Sequence, residues 1–317
     1  MEKLKKILGF LNFTALLKDY KYPFKINNYS NYKPLPKLLF TIKNGIIKSN
    51  DTRSKFPISY ADKFNNSLTC INDGLKNFDF FEENDKLLFC PKGNLNIKFI
   101  LINHDNINAA REIFVEQSYN FILNDDYIVV DIGANVGVSA LFFAENPRVK
   151  KIVCYEPFPE TAEIFKDNIM SNPRYSHKIV LNVSGLSNIE NRETVPKPPK
   201  GFMGATTSSD IISRFYKGEN ELIEIDVKKA STEISSQINH YPNLKVLLKI
   251  DCEGAEYDIF EDLDIHNVLD RVDIVVAEWH FKGSQPIVNI LSKNNFRCIL
   301  IDKNIVDFPM GMIYAFK

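Results

Sequence analysis

Long apolar runs, charge of one sign and paired cysteines are all missing from this 317-residue sequence, and each absence narrows what it can be. Basic and acidic side chains number 39 and 40, a formal net charge of -1. No global field is available to hold a polyanion, so nucleic acid is not an expected partner. The five cysteines (Cys70, Cys90, Cys154, Cys252, Cys298) are scattered and form no CxxC pair, which gives neither a zinc knuckle nor a disulfide framework. Reduced thiols in a cytoplasm are the expectation. At the N-terminus, Lys3, Lys5 and Lys6 precede an apolar run broken by Asn12 and Thr14. That run is too short and too polar to span a bilayer and lacks a small-residue cleavage site, so it reads as an amphipathic helix and no transmembrane segment is expected. At 44% hydrophobic and 25% charged residues the chain is not compositionally disordered, and it can build one large α/β domain with a smaller appended region.

Residues 18–100 are rich in Asn, Lys, Tyr and Phe and show no repeat. Apolar runs at 86–90 and 96–102 flank the turn-like Pro91-Lys92-Gly93-Asn94 and predict a hairpin; a helix is expected over 108–119. From Tyr127 the pattern changes to short apolar strands alternating with helical segments, the mark of a parallel sheet covered on both faces. Seven strands are predicted, at 127–132, 151–156, 178–183, 245–251, 273–278, 296–302 and 311–316. Between the third and fourth, residues 188–243 form an insertion with Pro196, Pro198, Pro199, Gly201 and Gly204, a strand at 221–227 and a short helix. An insertion of that length reads either as a lid or as a passive excursion, and the small and hydroxyl residues 201–209, near the expected mouth of the site, either touch acceptor or cofactor or form a plain loop. The resulting division is an N-terminal α+β extension over 1–105 and a catalytic domain over 106–317.

The strongest local signal is Val129-Val130-Asp131-Ile132-Gly133-Ala134-Asn135-Val136-Gly137-Val138-Ser139, a buried strand passing through a glycine turn into a helix over 138–144. Gly133 supplies the tight turn, and Gly137 lets helix and strand approach closely. Asp131 would stand near the place of a dinucleotide's pyrophosphate, where two like charges ~4 Å apart cost roughly 4 kcal/mol at an effective dielectric of about 20. A cationic cofactor gains instead, and S-adenosylmethionine carries an ammonium and a sulfonium without a phosphate. Glu156, ending the second strand before Pro157, follows Asp131 at the interval of an acid that takes both ribose hydroxyls.

The turn from Asp131 to Gly137, with Tyr155-Glu156-Pro157, Gly185-Leu186-Ser187 and Lys249-Ile250-Asp251-Cys252-Glu253-Gly254-Ala255-Glu256, resembles the FkbM family of S-adenosylmethionine-dependent methyltransferases over about 109–317. The Asp-x-Glu-Gly-Ala-Glu stretch is the most particular part. The resemblance implies a Rossmann-like seven-stranded sheet with its last strand antiparallel, and O-methylation of a hydroxyl on a sugar, polysaccharide or secondary metabolite. It also implies that Asp131 and the turn (Gly133, Ala134, Asn135, Gly137, Ser139) hold the methionine part, Glu156 with Pro157 the ribose, and residues 184–187, Ser187 above all, the adenine.

Methyl transfer from a sulfonium is an in-line displacement that gains most from holding the reactants together, and an alcohol also needs a base. Strand ends supply the candidates: Asp251 and Glu253 after the fourth strand, Glu278 and His280 at the fifth. His280 is the expected general base because imidazole titrates near neutrality, with Glu253 and Glu278 as its acidic neighbours. Asp251 is expected on the cofactor's ammonium, and Glu253 and Glu256 also suit the first turn of the following helix. The same groups offer ligands for Mg²⁺ or Mn²⁺, but their spacing is not diagnostic and a metal-free site is favoured. Trp279 and Phe281 either pack in the core or face a sugar ring. The alternatives are an NAD(P)-dependent oxidoreductase, against which Asp131 and Asn135 speak, and a non-catalytic scaffold that retains the fold. The expected partner is a small-molecule or glycan acceptor, and the apolar N-terminal helix makes self-association an expectation.

Overall fold

Two compact units, Met1–Arg111 and Glu112–Lys317, make up the chain in a computed structural model that describes residues 39–317 apart from 51–53, 66–67, 95, 200–220 and 304–308. The expected N-terminal helix and the 201–209 loop lie outside the described residues. Among the described residues no helix is long and apolar enough to cross a membrane.

The first unit holds two three-stranded antiparallel sheets, β1 (Phe40–Lys43), β2 (Ile46–Ser49) and β3 (Lys55–Pro57), and β4 (Phe78–Glu83), β5 (Lys86–Pro91) and β6 (Phe99–Ile100). Its helices are α1 (Leu68–Asn77) and α2 (His104–Ala110). Phenylalanine fills its core, with Phe56, Phe64, Phe80, Phe89 and Phe99 in a chain of ring contacts 5.4–6.0 Å apart. The expected hairpin over 91–94 joins β5 to β6 in only two residue pairs. The tight hairpin is β4-β5, over Asn84 and Asp85, both at positive φ as a type I′ turn requires. Helix α2 begins four residues before its predicted start because Asn103 caps it and Asn106 returns the bond, and it ends at Ala110, where one π-helical turn over Arg111–Val115 follows.

The second unit carries β7 (Tyr127–Ile132), β8 (Val149–Tyr155), β9 (Ile179–Asn182), β10 (Gly185–Ser187), β11 (Asn191–Pro196), β12 (Leu222–Lys229), β13 (Lys245–Ile250), β14 (Ile274–His280), β15 (Arg297–Lys303) and β16 (Met310–Phe316). Seven of them form one sheet in the order β15-β16-β14-β13-β7-β8-β9. The five from β14 to β9 run parallel, and β16, the last in the chain, is antiparallel to both neighbours. All seven predicted strands are present with ends within two residues of expectation. Every residue of β7 is buried, as a central parallel strand covered on both faces must be.

Helices α3 (Val138–Glu145), α4 (Pro159–Met170), α5 (Ala230–His240), α6 (Glu256–Ile265) and α7 (Gln285–Lys293) cover the sheet. Leu248, Ile250, Ile259, Phe260, Ala277 and Leu291 belong to the core between them. Within the expected 188–243 insertion, β12 pairs antiparallel with β11 and, on its other side, parallel with β10 in a small second sheet, and α5 follows. The edge strand β15 shows Ile299, Leu300 and Ile301 to solvent.

Candidate active site

The carboxyl ends of β7, β8, β13 and β14 converge, the crevice where open α/β sheets take their ligands. Asp131, next to last in β7, is 0% exposed. Ser139 Oγ donates to its Oδ2 at 2.6 Å, and Lys249 Nζ lies 3.1 Å from its Oδ1. Lys249 stands directly opposite Asp131 in the β13–β7 register, is itself buried, and also donates to Gly133 O at 2.7 Å. Burial works against its ammonium, but Asp131 and then Asp251 outweigh it and hold Lys249 above the ordinary lysine range.

Gly133 (φ +75°) leaves β7 in the left-handed region, and a Cβ there would lie 1.8 Å from Asp251 O. Gly133→Ala is therefore expected to cost about 3 kcal/mol or more, from the clash and the positive φ together, which urea unfolding would measure. Gly137 (φ +86°) starts α3, and a Cβ there would meet the Phe165 ring at 2.9–3.0 Å. The close approach that needs this glycine is thus between α3 and α4 rather than between helix and strand. Asn135 also stands at positive φ, as asparagine tolerates.

Glu156, just after β8, is buried. Asn135 N donates to its Oε2 at 2.9 Å and Phe158 N to its Oε1 at 3.1 Å. Burial pushes it up to about 7 against those two bonds. Pro157 lines Gly185, whose Cβ would touch it at 3.5 Å. Ser184 Oγ, beyond the end of β9, is buried with no hydrogen-bond partner among the described residues. Ser187 Oγ donates to Asn188 at 3.4 Å. A glycine cradle that admits no side chain, a buried carboxylate holding one N–H on each oxygen, and an unpartnered buried hydroxyl fit a nucleoside cofactor.

A second cluster lies at the ends of β13 and β14. Glu253, in the left-handed region at φ 52° before Gly254, brings its carboxylate 3.6 Å from His280 Nε2. The other ring nitrogen, Nδ1, shares a short hydrogen bond with the fully buried Glu256 of α6. Tyr257 Oη donates to the His280 and Gly283 carbonyls at 3.0 and 2.9 Å and fixes the strand end. Burial alone would depress His280, but Glu256, Glu253 and Asp251 outweigh it and raise it to about 10. Imidazole is thereby displaced from the near-neutral titration expected of it, and at neutral pH it is an imidazolium. Glu253 is raised to about 8, by burial against the pull of His280.

Glu278 goes to about 7 through burial and then Asp251, and Lys303 donates to it at 2.9 Å while also pairing with Glu112. Asp251, Glu253 and His280 bring one donor atom each within 4.8 Å of the others, a spacing that a divalent cation can use, whereas Glu278 is not part of that trio. Trp279 packs in the core against Gly311 and is no sugar platform; the Phe281 ring lies 6.3 Å from that of His280.

Sequence reasoning missed three parts of this arrangement: Lys249, Glu256 as the acid behind His280, and Tyr119, whose hydroxyl donates to Asp251 Oδ2 at 3.2 Å. Only Lys249 left a signal, as a lone cation inside an otherwise apolar central strand that must find an acid on a neighbour.

Residues 131–298, over half the chain, match the family model described as the methyltransferase FkbM domain. The chain is 28% identical over 211 residues to Methyltransferase 1 of Beauveria bassiana, covering 59% of this chain and 75% of that one. It is 24% identical over 233 residues to Methyltransferase sdnD of Sordaria araneosa, covering 66% and 85%. Among solved structures, Methyltransferase FkbM from Methylobacillus flagellatus KT aligns at a TM-score of 0.41 and 10% identity, over 65% of this chain and 48% of that one.

Proposed function

Since the chain belongs to the FkbM family of S-adenosylmethionine-dependent methyltransferases, we propose that it methylates a hydroxyl group of a sugar, polysaccharide or secondary metabolite. The observation that supports the hydroxyl is the Glu253–His280–Glu256 cluster at the ends of β13 and β14, in which Glu253 can accept a proton.

S-adenosylmethionine supplies, when bound, an activated methyl carbon on a sulfonium. Glu156 would hold the ribose hydroxyls, Ser184 and Ser187 the adenine edge, and Asp251 the ammonium. Asp131 is closed to solvent and committed to Lys249 and Ser139, so it shapes the turn rather than touching the ligand. Glu253 takes the proton from the acceptor hydroxyl: its raised pKa makes it a base matched to near-neutral pH. His280, clamped by Glu256, orients Glu253 and balances its charge. Glu278, tied to Lys303, adds to the negative field. The N-terminal 1–105 region would contact the acceptor or a second copy. A cytoplasmic setting is supported by five free thiols.

Calorimetric titration with S-adenosylhomocysteine, using NAD as control, tests the cofactor. Micromolar binding of the first alone is the expected result. Glu156 must be ionised to accept two hydroxyls, and its ligand-free pKa is about 7. Affinity should therefore be full above that pH and fall as pH drops below it, by up to about tenfold per unit, with Glu156→Gln weaker and flatter. Equal binding of NAD, or no binding by folded protein, sinks the reading.

A further inference from the structure

We propose that Tyr119 is a positioning residue for the amino-acid end of the cofactor, acting by setting the Asp251 carboxylate that receives its ammonium. The inference rests on the reading of Asp251 given above.

Tyr119 lies in the segment that leads from the π-helical turn to β7, 132 positions before Asp251. That segment is itself tied down: Ser118 N and Oγ both donate to Glu112 O, at 3.1 and 2.8 Å, and Asn120 N donates to Gln117 O at 3.0 Å. The Tyr119 ring is buried and stacks on Phe143 of α3 at 6.0 Å with planes 6° apart. Helix α3 is the one that the glycine turn begins, so the ring is referenced to the cofactor loop. From there its hydroxyl donates to Asp251 Oδ2 at 3.2 Å. Lys249 Nζ reaches the same oxygen at 3.8 Å and lies 5.9 Å from the Tyr119 ring centroid.

Both protein donors thus converge on Oδ2, which leaves Oδ1 as the oxygen to face a ligand. Accessibility selects the acid that meets a cation: the Asp251 side chain is 27% exposed, whereas that of Asp131 is 0% exposed. Lys249 and Asp131 cancel, so Asp251 carries the net negative charge of this corner. Burial and then the neighbouring acids push the Tyr119 hydroxyl well above its ordinary range, so it remains a donor.

The test compares two probes on the full chain by calorimetry: S-adenosylhomocysteine, and 5′-methylthioadenosine, which keeps the nucleoside thioether but lacks the amino-acid end. Tyr119→Phe keeps the ring stacking and removes the donor. It should weaken S-adenosylhomocysteine about five- to tenfold and leave 5′-methylthioadenosine within about twofold, at an unchanged melting temperature. Asp251→Asn, the companion variant, should weaken S-adenosylhomocysteine at least as much. If Tyr119→Phe weakens both probes alike, or neither, while Asp251→Asn weakens only S-adenosylhomocysteine, the tyrosine has no positioning role and the Asp251 reading stands. If Asp251→Asn has no effect, or the wild-type protein binds neither probe, the underlying reading fails and the proposal with it.

Discussion

Glu253→Gln is expected to lower kcat by about 10²–10⁴-fold while leaving S-adenosylhomocysteine affinity near that of the wild type, because it removes a base and not a cofactor contact. The sign of the pH dependence follows from the direction of the shift. Burial raises Glu253 to about 8, and a base works only when ionised, so wild-type kcat should climb with pH through about 8. His280, raised to about 10, stays charged across that range. The two groups face each other at 3.6 Å, so the profile reports the pair rather than either alone. A rising limb near pH 6.5 that survives in Glu253→Gln would return the base role to a neutral His280.

Lys249→Met should cost about 3–5 kcal/mol of stability in denaturant unfolding. The substitution leaves Asp131, at 0% exposure, with Ser139 as its only remaining side-chain partner and no positive charge beside it among the described residues. Adding Asp131→Asn to Lys249→Met removes the buried charge and should recover most of the loss, since a buried ion pair contributes little beyond an apolar replacement of similar size. A single-variant cost under about 1 kcal/mol would mean that water reaches Asp131, and the closed turn described above would have to be abandoned.

The parallel sheet was legible because its central strands are buried on both faces and read as near-continuous apolar runs, broken inside only by Asp131 in β7 and Lys249 in β13; both could be bounded almost to the residue. The positions of the glycine turn, Glu156 and His280 were legible for the same reason, since each follows directly from where a strand ends. What stayed hidden are pairings across the sequence. No local pattern joins Tyr119 to Asp251 or Lys249 to Asp131, which lie 132 and 118 positions apart. The charge of Asp131 was legible but not its pairing with Lys249 and Ser139. The electrostatic environment of His280 was also out of reach, because its state depends on three acids that only the folded strand ends assemble. In the first unit, the Asn84–Asp85 turn and the Asn103 cap were present in the sequence as residue types suited to those roles, but several asparagines nearby offered the same chemistry.

Gly133 and the Asp251 carbonyl touch so closely that even a methyl group would act as a wedge between them. The turn after β7 and the segment after β13 are consequently held against each other. Neither can be reshaped without disturbing the other, so mutational drift at this seam is closed to a lineage that keeps the chemistry. Change is free of that constraint elsewhere, in segments such as 281–284, where a Cβ on Gly283 would meet nothing within 4 Å.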